Sequence, residues 1–177
     1  MKILALDSSG LVASVAVVEN DTLLAEYTVN YKKTHSQTLL PMLDEISNMT
    51  ELDLSTIDAI AVAGGPGSFT GLRIGSATAK GLGLALEKPL ISIPTTAAIA
   101  YNIWDTDKFV CPIMDARRNQ VYTGVYCYTD HRLDTVWEQD TMSIEALAEG
   151  LNCLDHEVIF LGDGVAVYRE KFCLLYT

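Results

Sequence analysis

Apolar and polar positions alternate along this chain in two rhythms. Short apolar runs at 2–6, 12–18 and 22–29, the last two joined by the polar turn Glu19-Asn20-Asp21, predict a three-stranded meander. A polar loop follows at 31–36. From Gln37 or Thr38 to Asn48 the apolar positions take a helical spacing, with Pro41 in the first turn, where its missing N–H costs nothing. Residues 53–57 predict one short helical turn. A strand at 60–63, a glycine-rich turn at 64–71, a helix at 70–86, a buried strand at 90–93 and a helix at 95–103 complete this half.

After the polar stretch Asp105-Thr106-Asp107-Lys108 the order restarts. An apolar strand at 109–114 ends in Asp115, as 2–6 ends in Asp7. Strands at 120–128 and 132–138, a helix at 143–150 opened by an approximate capping box at Ser143, a strand at 158–161 and the turn Gly162-Asp163-Gly164 follow. Laying Asp7 on Asp115 also lays Val17 on Val125, and both halves read strand, strand, strand, helix, strand. Such a repeat predicts two similar α/β lobes, 1–104 and 105–177, each a mixed sheet flanked by helices. The alternative is chance agreement of common elements. Two such lobes would put a ligand cleft at their strand ends.

Hydrophobic residues are 49% of the 177 and charged residues 20%, enough apolar mass for a packed core. The net charge of −11 lacks the basic footprint of an autonomous nucleic-acid binder, so an RNA-linked role needs a basic partner. Asp7 cuts the opening apolar run too short for a signal peptide, and no apolar run is long enough to span a membrane. Cys111, Cys127, Cys153 and Cys173 form no C-x-x-C pair, and three sit in apolar runs; they read as buried free thiols of a cytoplasmic protein.

The glycine turn is the chief candidate for chemistry. A strand, a glycine turn and a helix start can hold a phosphate on backbone N–H groups, with Gly65 and Gly67 the candidate residues of the turn. It is neither a Walker loop nor G-x-G-x-x-G. Ser68 and Thr70 are placed to cap the helix, and Arg73 lies one turn in. His35, His131 and His156 are out of helical reach of one another, so no metal site is expected. His35-Ser36 has no third partner for a nucleophile. Asp115 with Arg117 and Arg118 reads as a salt-bridged turn.

On a helical wheel, Leu72, Gly75, Ala79, Leu82, Gly83 and Leu86 form one face of the 70–86 helix. Ile74, Ala77, Gly81, Leu84 and Ala85 form another, beside a narrow stripe of Arg73, Ser76 and Lys80. The 37–48 helix offers Leu39, Leu40, Met42, Leu43 and Ile46 over a broad arc. The two helices either cover each other or leave an apolar patch for a partner, lined by Leu39, Met42, Leu43, Ile46, Arg73, Ile74, Ala77, Lys80, Gly81 and Leu84.

M-K-I-L-A-L-D-S-S at the start, T-H-S-Q-T-L-L-P-M-L at 34–43, G-P-G-S-F-T-G-L-R-I-G at 65–75 and D-A-R-R-N-Q-V-Y at 115–122 resemble the bacterial TsaB (YeaZ) family over nearly the whole chain. The resemblance implies the duplicated actin-like, Hsp70 and sugar-kinase fold. It implies a part in making threonylcarbamoyladenosine beside the anticodon of certain tRNAs, as the non-catalytic partner of the paralogue TsaD, with the ATPase TsaE as a third subunit and a homodimer when the paralogue is absent. The glycoprotease-like (M22) label of the group describes kinship. The catalytic paralogue carries His-x-x-x-His where this chain has S-I-P-T-T-A-A-I-A at 92–100, which implies neither metal nor catalytic residues here. In this fold Asp7, Ser8 and Ser9 occupy the first phosphate turn, so the alternative is an ATP- or ADP-binding enzyme that uses Asp7 to orient Mg2+. Typical members continue past residue 177, which implies an incomplete second lobe.

Overall fold

In the computed structural model, residues 1–31 and 37–175 are described; the 31–36 loop and the His35-Ser36 pair lie largely outside them. The chain divides into two compact units, Met1–Ile93 and Pro94–Thr177.

In the first unit β1 (Lys2–Asp7), β2 (Ala13–Glu19) and β3 (Thr22–Val29) form the meander. After α1 (Leu39–Thr50) and a 3-10 turn at Leu54–Thr56, β4 (Ala59–Gly65) runs parallel to β1, Leu4 opposite Ile60. Helix α2 (Phe69–Leu86) leads to β5 (Leu90–Pro94), and the sheet order is β3-β2-β1-β4-β5. Alternation in β2 puts Ala13, Val15 and Val17 inward, where they meet Leu4, Leu6 and Ile60. Leu39, Met42, Leu43 and Ile46 of α1 and Ala79 of α2 close the same core. Each fully buried aliphatic side chain there contributes about 1.5–3 kcal/mol. Strand β5, expected to be buried, is exposed: Leu90 and Ile91 are 42% and 38% accessible, because β5 is the last strand of the sheet.

The second unit repeats the plan. Helix α3 (Thr95–Ala100) precedes β6 (Phe109–Arg117), β7 (Gln120–Thr129) and β8 (Arg132–Ser143). Then come α4 (Ile144–Asn152), β9 (Val158–Leu161) and α5 (Asp163–Leu175). The sheet order is β8-β7-β6-β9, with β6 antiparallel to β7 and parallel to β9, as β1 is to β2 and β4. The Ser143 hydroxyl caps α4, accepting from the Ala146 N–H at 3.2 Å. Helix α3 ends at Ala100 instead of 103, and it belongs with the second sheet: Ala100 packs on Val110 and Tyr126, and the Thr96 hydroxyl hydrogen-bonds the Tyr126 hydroxyl at 2.7 Å. The unit boundary therefore falls before α3 and not at residue 104.

Among the described residues no helix is long and apolar enough to cross a membrane. All four cysteines are free, but only Cys111 is buried; Cys127 is half-buried, and Cys153 and Cys173 are exposed. Burial pushes the Cys111 thiol up to about 12, against a smaller opposing effect of its 3.3 Å contact with the Thr123 hydroxyl.

Candidate functional site

The end of β1 and the glycine turn after β4 meet in the first unit. Asp7 Oδ1 accepts the Ser9 N–H at 2.7 Å, an Asx turn that ends the strand. The buried Ser8 hydroxyl donates to the Gly71 carbonyl at 2.9 Å. The Ser68 N–H donates to the Ser9 carbonyl at 2.6 Å, and the Ser68 hydroxyl caps α2 by accepting from the Gly71 N–H at 3.3 Å. Thr70 lies inside the helix and is not the cap.

The glycines make this approach possible. A Cβ on Gly67 would stand 2.4 Å from the Ser9 carbonyl oxygen, and one on Gly75 would stand 2.6 Å from Ser8 Oγ. Gly65, with φ of +107°, sits where an L side chain is strained. Ser8, Ser9 and Gly67 are thus brought close to the start of α2, where Asp7 bonds Ser9, Ser9 bonds Ser68 and Ser8 bonds Gly71. The N–H groups of Ser9, Ser68 and Gly71 are already satisfied within the turn. Those three N–H groups are therefore not free to face an anion, as a phosphate cradle requires.

The equivalent corner of the second unit is built differently. Asp115 Oδ1 accepts the Arg117 N–H at 2.8 Å, the same i to i+2 bond that Asp7 makes. It also accepts the Tyr168 hydroxyl at 2.9 Å, and the Asp115 N–H donates to Asp163 Oδ1 at 3.2 Å. The expected salt-bridged turn with Arg117 and Arg118 is therefore corrected: Asp115 takes a backbone N–H and a phenol in place of a guanidinium, because positive φ angles at Arg117, Arg118 and Asn119 make a tight hairpin. Tyr168 is far away in sequence, and nothing local marks it as the partner. Nor does the sequence mark the link from the Thr96 hydroxyl to Gln139 Oε1 at 3.0 Å. Among the described residues no three His, Cys, Asp or Glu side chains gather as a metal site.

The candidate partner surface is divided by the structure. Leu39, Met42, Leu43 and Ile46 are 1–4% accessible and belong to the core, so α1 does not present them to a partner; its broad apolar arc is consumed by packing on its own unit. Ile74 is also packed against that core. Arg73, Ala77, Lys80, Gly81 and Leu84 are exposed and lie along one stripe of α2. Leu84 is 84% accessible, and a Cβ on Gly81 would meet nothing within 4 Å. The Arg73 guanidinium lies 3.9 Å over the Phe69 ring at the head of this stripe. Gly71, Gly75, Ala79 and Gly83 form the opposite, buried face.

Residues 22–175 match the family model described as TsaD, tRNA N6-adenosine threonylcarbamoyltransferase. The chain is 35% identical over 170 residues to the Bacillus subtilis tRNA threonylcarbamoyladenosine biosynthesis protein TsaB, covering 96% of this chain and 74% of that protein. A Pseudomonas aeruginosa structure described as an uncharacterized protein with similarity to peptidase YeaZ superposes with a TM-score of 0.83 at 29% identity, covering 96% of this chain and 79% of that one. An exopolyphosphatase from Cytophaga hutchinsonii, at TM-score 0.52 and 10% identity over 97% of this chain and 72% of that one, shares the fold alone. That fold is the actin-like, Hsp70 and sugar-kinase fold.

Proposed function

We infer that this chain, which belongs to the TsaB family, serves tRNA threonylcarbamoyladenosine biosynthesis as a non-catalytic subunit that binds and supports the catalytic paralogue TsaD. The observation that carries this reading is the exposed stripe of α2, where Ala77, Gly81 and Leu84 stand clear of their own core. Small residues let a second helix approach closely, and Leu84 supplies an anchor. Arg73 and Lys80 border the stripe and give it polarity. The same surface would pair two copies when TsaD is absent, so TsaD would compete with the homodimer. TsaE would join as the ATPase. The charge of −11 supports tRNA contact through the partner and not through this chain. The setting is the cytoplasm.

Gly81→Arg and Ala77→Arg are expected to weaken binding to TsaD at least tenfold in calorimetry, whereas Gly81→Ala, whose Cβ has open space, leaves binding within a factor of about three. Loss of threonylcarbamoyladenosine from tRNA, in a strain carrying only the arginine variants, would accompany it. Unchanged binding by both arginine variants would overturn the proposed surface.

The alternative is a nucleotide-dependent enzyme using Asp7. The bonds already made by Asp7, Ser8, Ser9 and Ser68 speak for a structural turn. Titration of the chain with ATP and Mg2+ is expected to give no binding heat at millimolar nucleotide. Binding that Asp7→Ala abolishes would establish the alternative.

A further inference from the structure

The second unit carries an aromatic cluster that neither its core nor the proposed α2 surface uses. Tyr101 and Trp104, just after α3, are 53% and 63% accessible. Both lean edge-on against Tyr128 near the end of β7. The Tyr101 and Tyr128 ring centroids are 6.5 Å apart with planes at 82°, and those of Trp104 and Tyr128 are 5.5 Å apart with planes at 63°. The rings thus turn faces in different directions around one centre. The Tyr128 hydroxyl is shielded from solvent and has no hydrogen-bond partner. Among the described residues no cation lies over Tyr101, Trp104 or Tyr128.

Three carboxylates stand near the rings, and Lys108, His131 and Arg132 stand in or beside the 104–107 loop and the 130–131 turn. Asp105 follows Trp104 directly, and Asp107 and Asp130 stand in the same two loops. The His131 Nδ1–H donates to Asp105 Oδ2 at 2.6 Å, which ties the 130–131 turn to the 104–107 loop and fixes the carboxylate beside the rings. Burial, above all, pushes the Tyr128 phenol above its usual range, with smaller contributions from Tyr101 and then Asp105.

We propose that Tyr101, Trp104 and Tyr128, with Asp105, form an aromatic recognition site for an arginine side chain on a basic segment of a partner protein. Aromatic faces attract a cation, and a carboxylate beside them adds charge and an acceptor. Arginine fits better than lysine, because its planar guanidinium stacks on a ring while its N–H groups reach the Asp105 carboxylate. The chain's net charge of −11 favours approach of a basic segment. A nucleic acid would also stack on exposed rings, but these carboxylates repel its phosphates.

The test is an amide and indole NMR titration of the chain with acetyl-triarginine-amide at fixed ionic strength. Acetyl-triglutamate-amide, acetyl-trilysine-amide and a single-stranded oligonucleotide run in parallel. Saturating shifts of the Trp104 indole and of residues 101–107 and 128–131 are expected with triarginine, weaker ones with trilysine and none with triglutamate. Trp104→Ala and Tyr101→Ala are expected to weaken triarginine binding about tenfold, and Asp105→Asn about threefold, with the rest of each spectrum unchanged as evidence of folding. Three results would overturn the site: no saturating shifts with triarginine, equal affinity in folded Trp104→Ala and Tyr101→Ala variants, or shifts at these residues with the oligonucleotide alone.

Discussion

The two units solve the same topological problem with different side chains. In each, an aspartate at or near the end of the first strand accepts an N–H two residues on, and a parallel strand returns beside it into a helix. The first unit closes that corner with small residues: Ser8, Ser9, Gly67 and Gly75 bring backbones together. The second adds long ones to its close glycines Gly162 and Gly164, since Asp163 and Tyr168 reach from α5 to Asp115 and the Phe172 ring packs 4.6 Å from Phe160. The consequence lies in the helices. Helix α2 docks through glycines and alanine and keeps a separate stripe outward. The aromatic side chains of α5 go into its own core. A helix docked by small residues has surface left to give to a partner.

The sharpest way to break this comparison is at the return glycines. Gly162 has φ of +106°, and a Cβ there would stand 2.4 Å from the Ile113 carbonyl oxygen. Gly162→Ala meets both backbone strain and a clash with main chain, and is expected to cost about 3 kcal/mol. Gly67→Ala meets the same 2.4 Å approach, to Ser9, and is expected to cost about 2 kcal/mol. Urea denaturation, read by native-state hydrogen exchange in each sheet, would assign the loss to one unit. If Gly162→Ala were neutral, the corner of the second unit would be adaptable and the parallel with the first would fail.

Much of this architecture was legible because strand alternation and glycine punctuation are local signals. The meanders, the repeat and the turn after β4 follow from them directly. Burial was less legible. The run at 90–93 is as apolar as a central strand, and periodicity cannot tell an edge from a centre; only the sheet order does. The same limit misplaced Cys127, Cys153 and Cys173, whose apolar neighbours say nothing of which side of a strand or helix end each occupies. Leu39, Met42, Leu43 and Ile46 of α1, expected to line a partner patch, are taken by the core, and Leu40 and Met49 are left outside. Asp115 was assigned to its sequence neighbours, when its second partner, Tyr168, comes from another element. The aromatic cluster joins residues from one loop and a distant strand, which no single window contains.

The smallest expected effect separates the units by pH. In the second unit Lys171 of α5 pairs with Glu145 of α4, which also accepts from the Asn119 amide at 3.2 Å. The Lys171 hydrogen bond, above all, lowers the Glu145 carboxyl to about 2 from its ordinary 4.5. A carboxylate depressed on folding stabilises the folded state above its unfolded value and loses that contribution as pH falls through the folded one. The link between α4 and α5 is therefore intact above 4.5 and fades between 4.5 and about 2. In the first unit Asp53 is also lowered, by its hydrogen bonds with Ser55, but it caps a single 3-10 turn and ties no helix to another. Both groups lie in solvent, where ion pairs contribute little, so the shift in unfolding midpoint is small. Carboxyl NMR is the more sensitive readout. Glu145 is expected to titrate near 2 and to return toward 4.5 in Lys171→Met, while Asp53 is unmoved. A Glu145 that titrates the same with and without Lys171 would mean that the pair does not link α4 to α5 and that their apolar contacts carry the join.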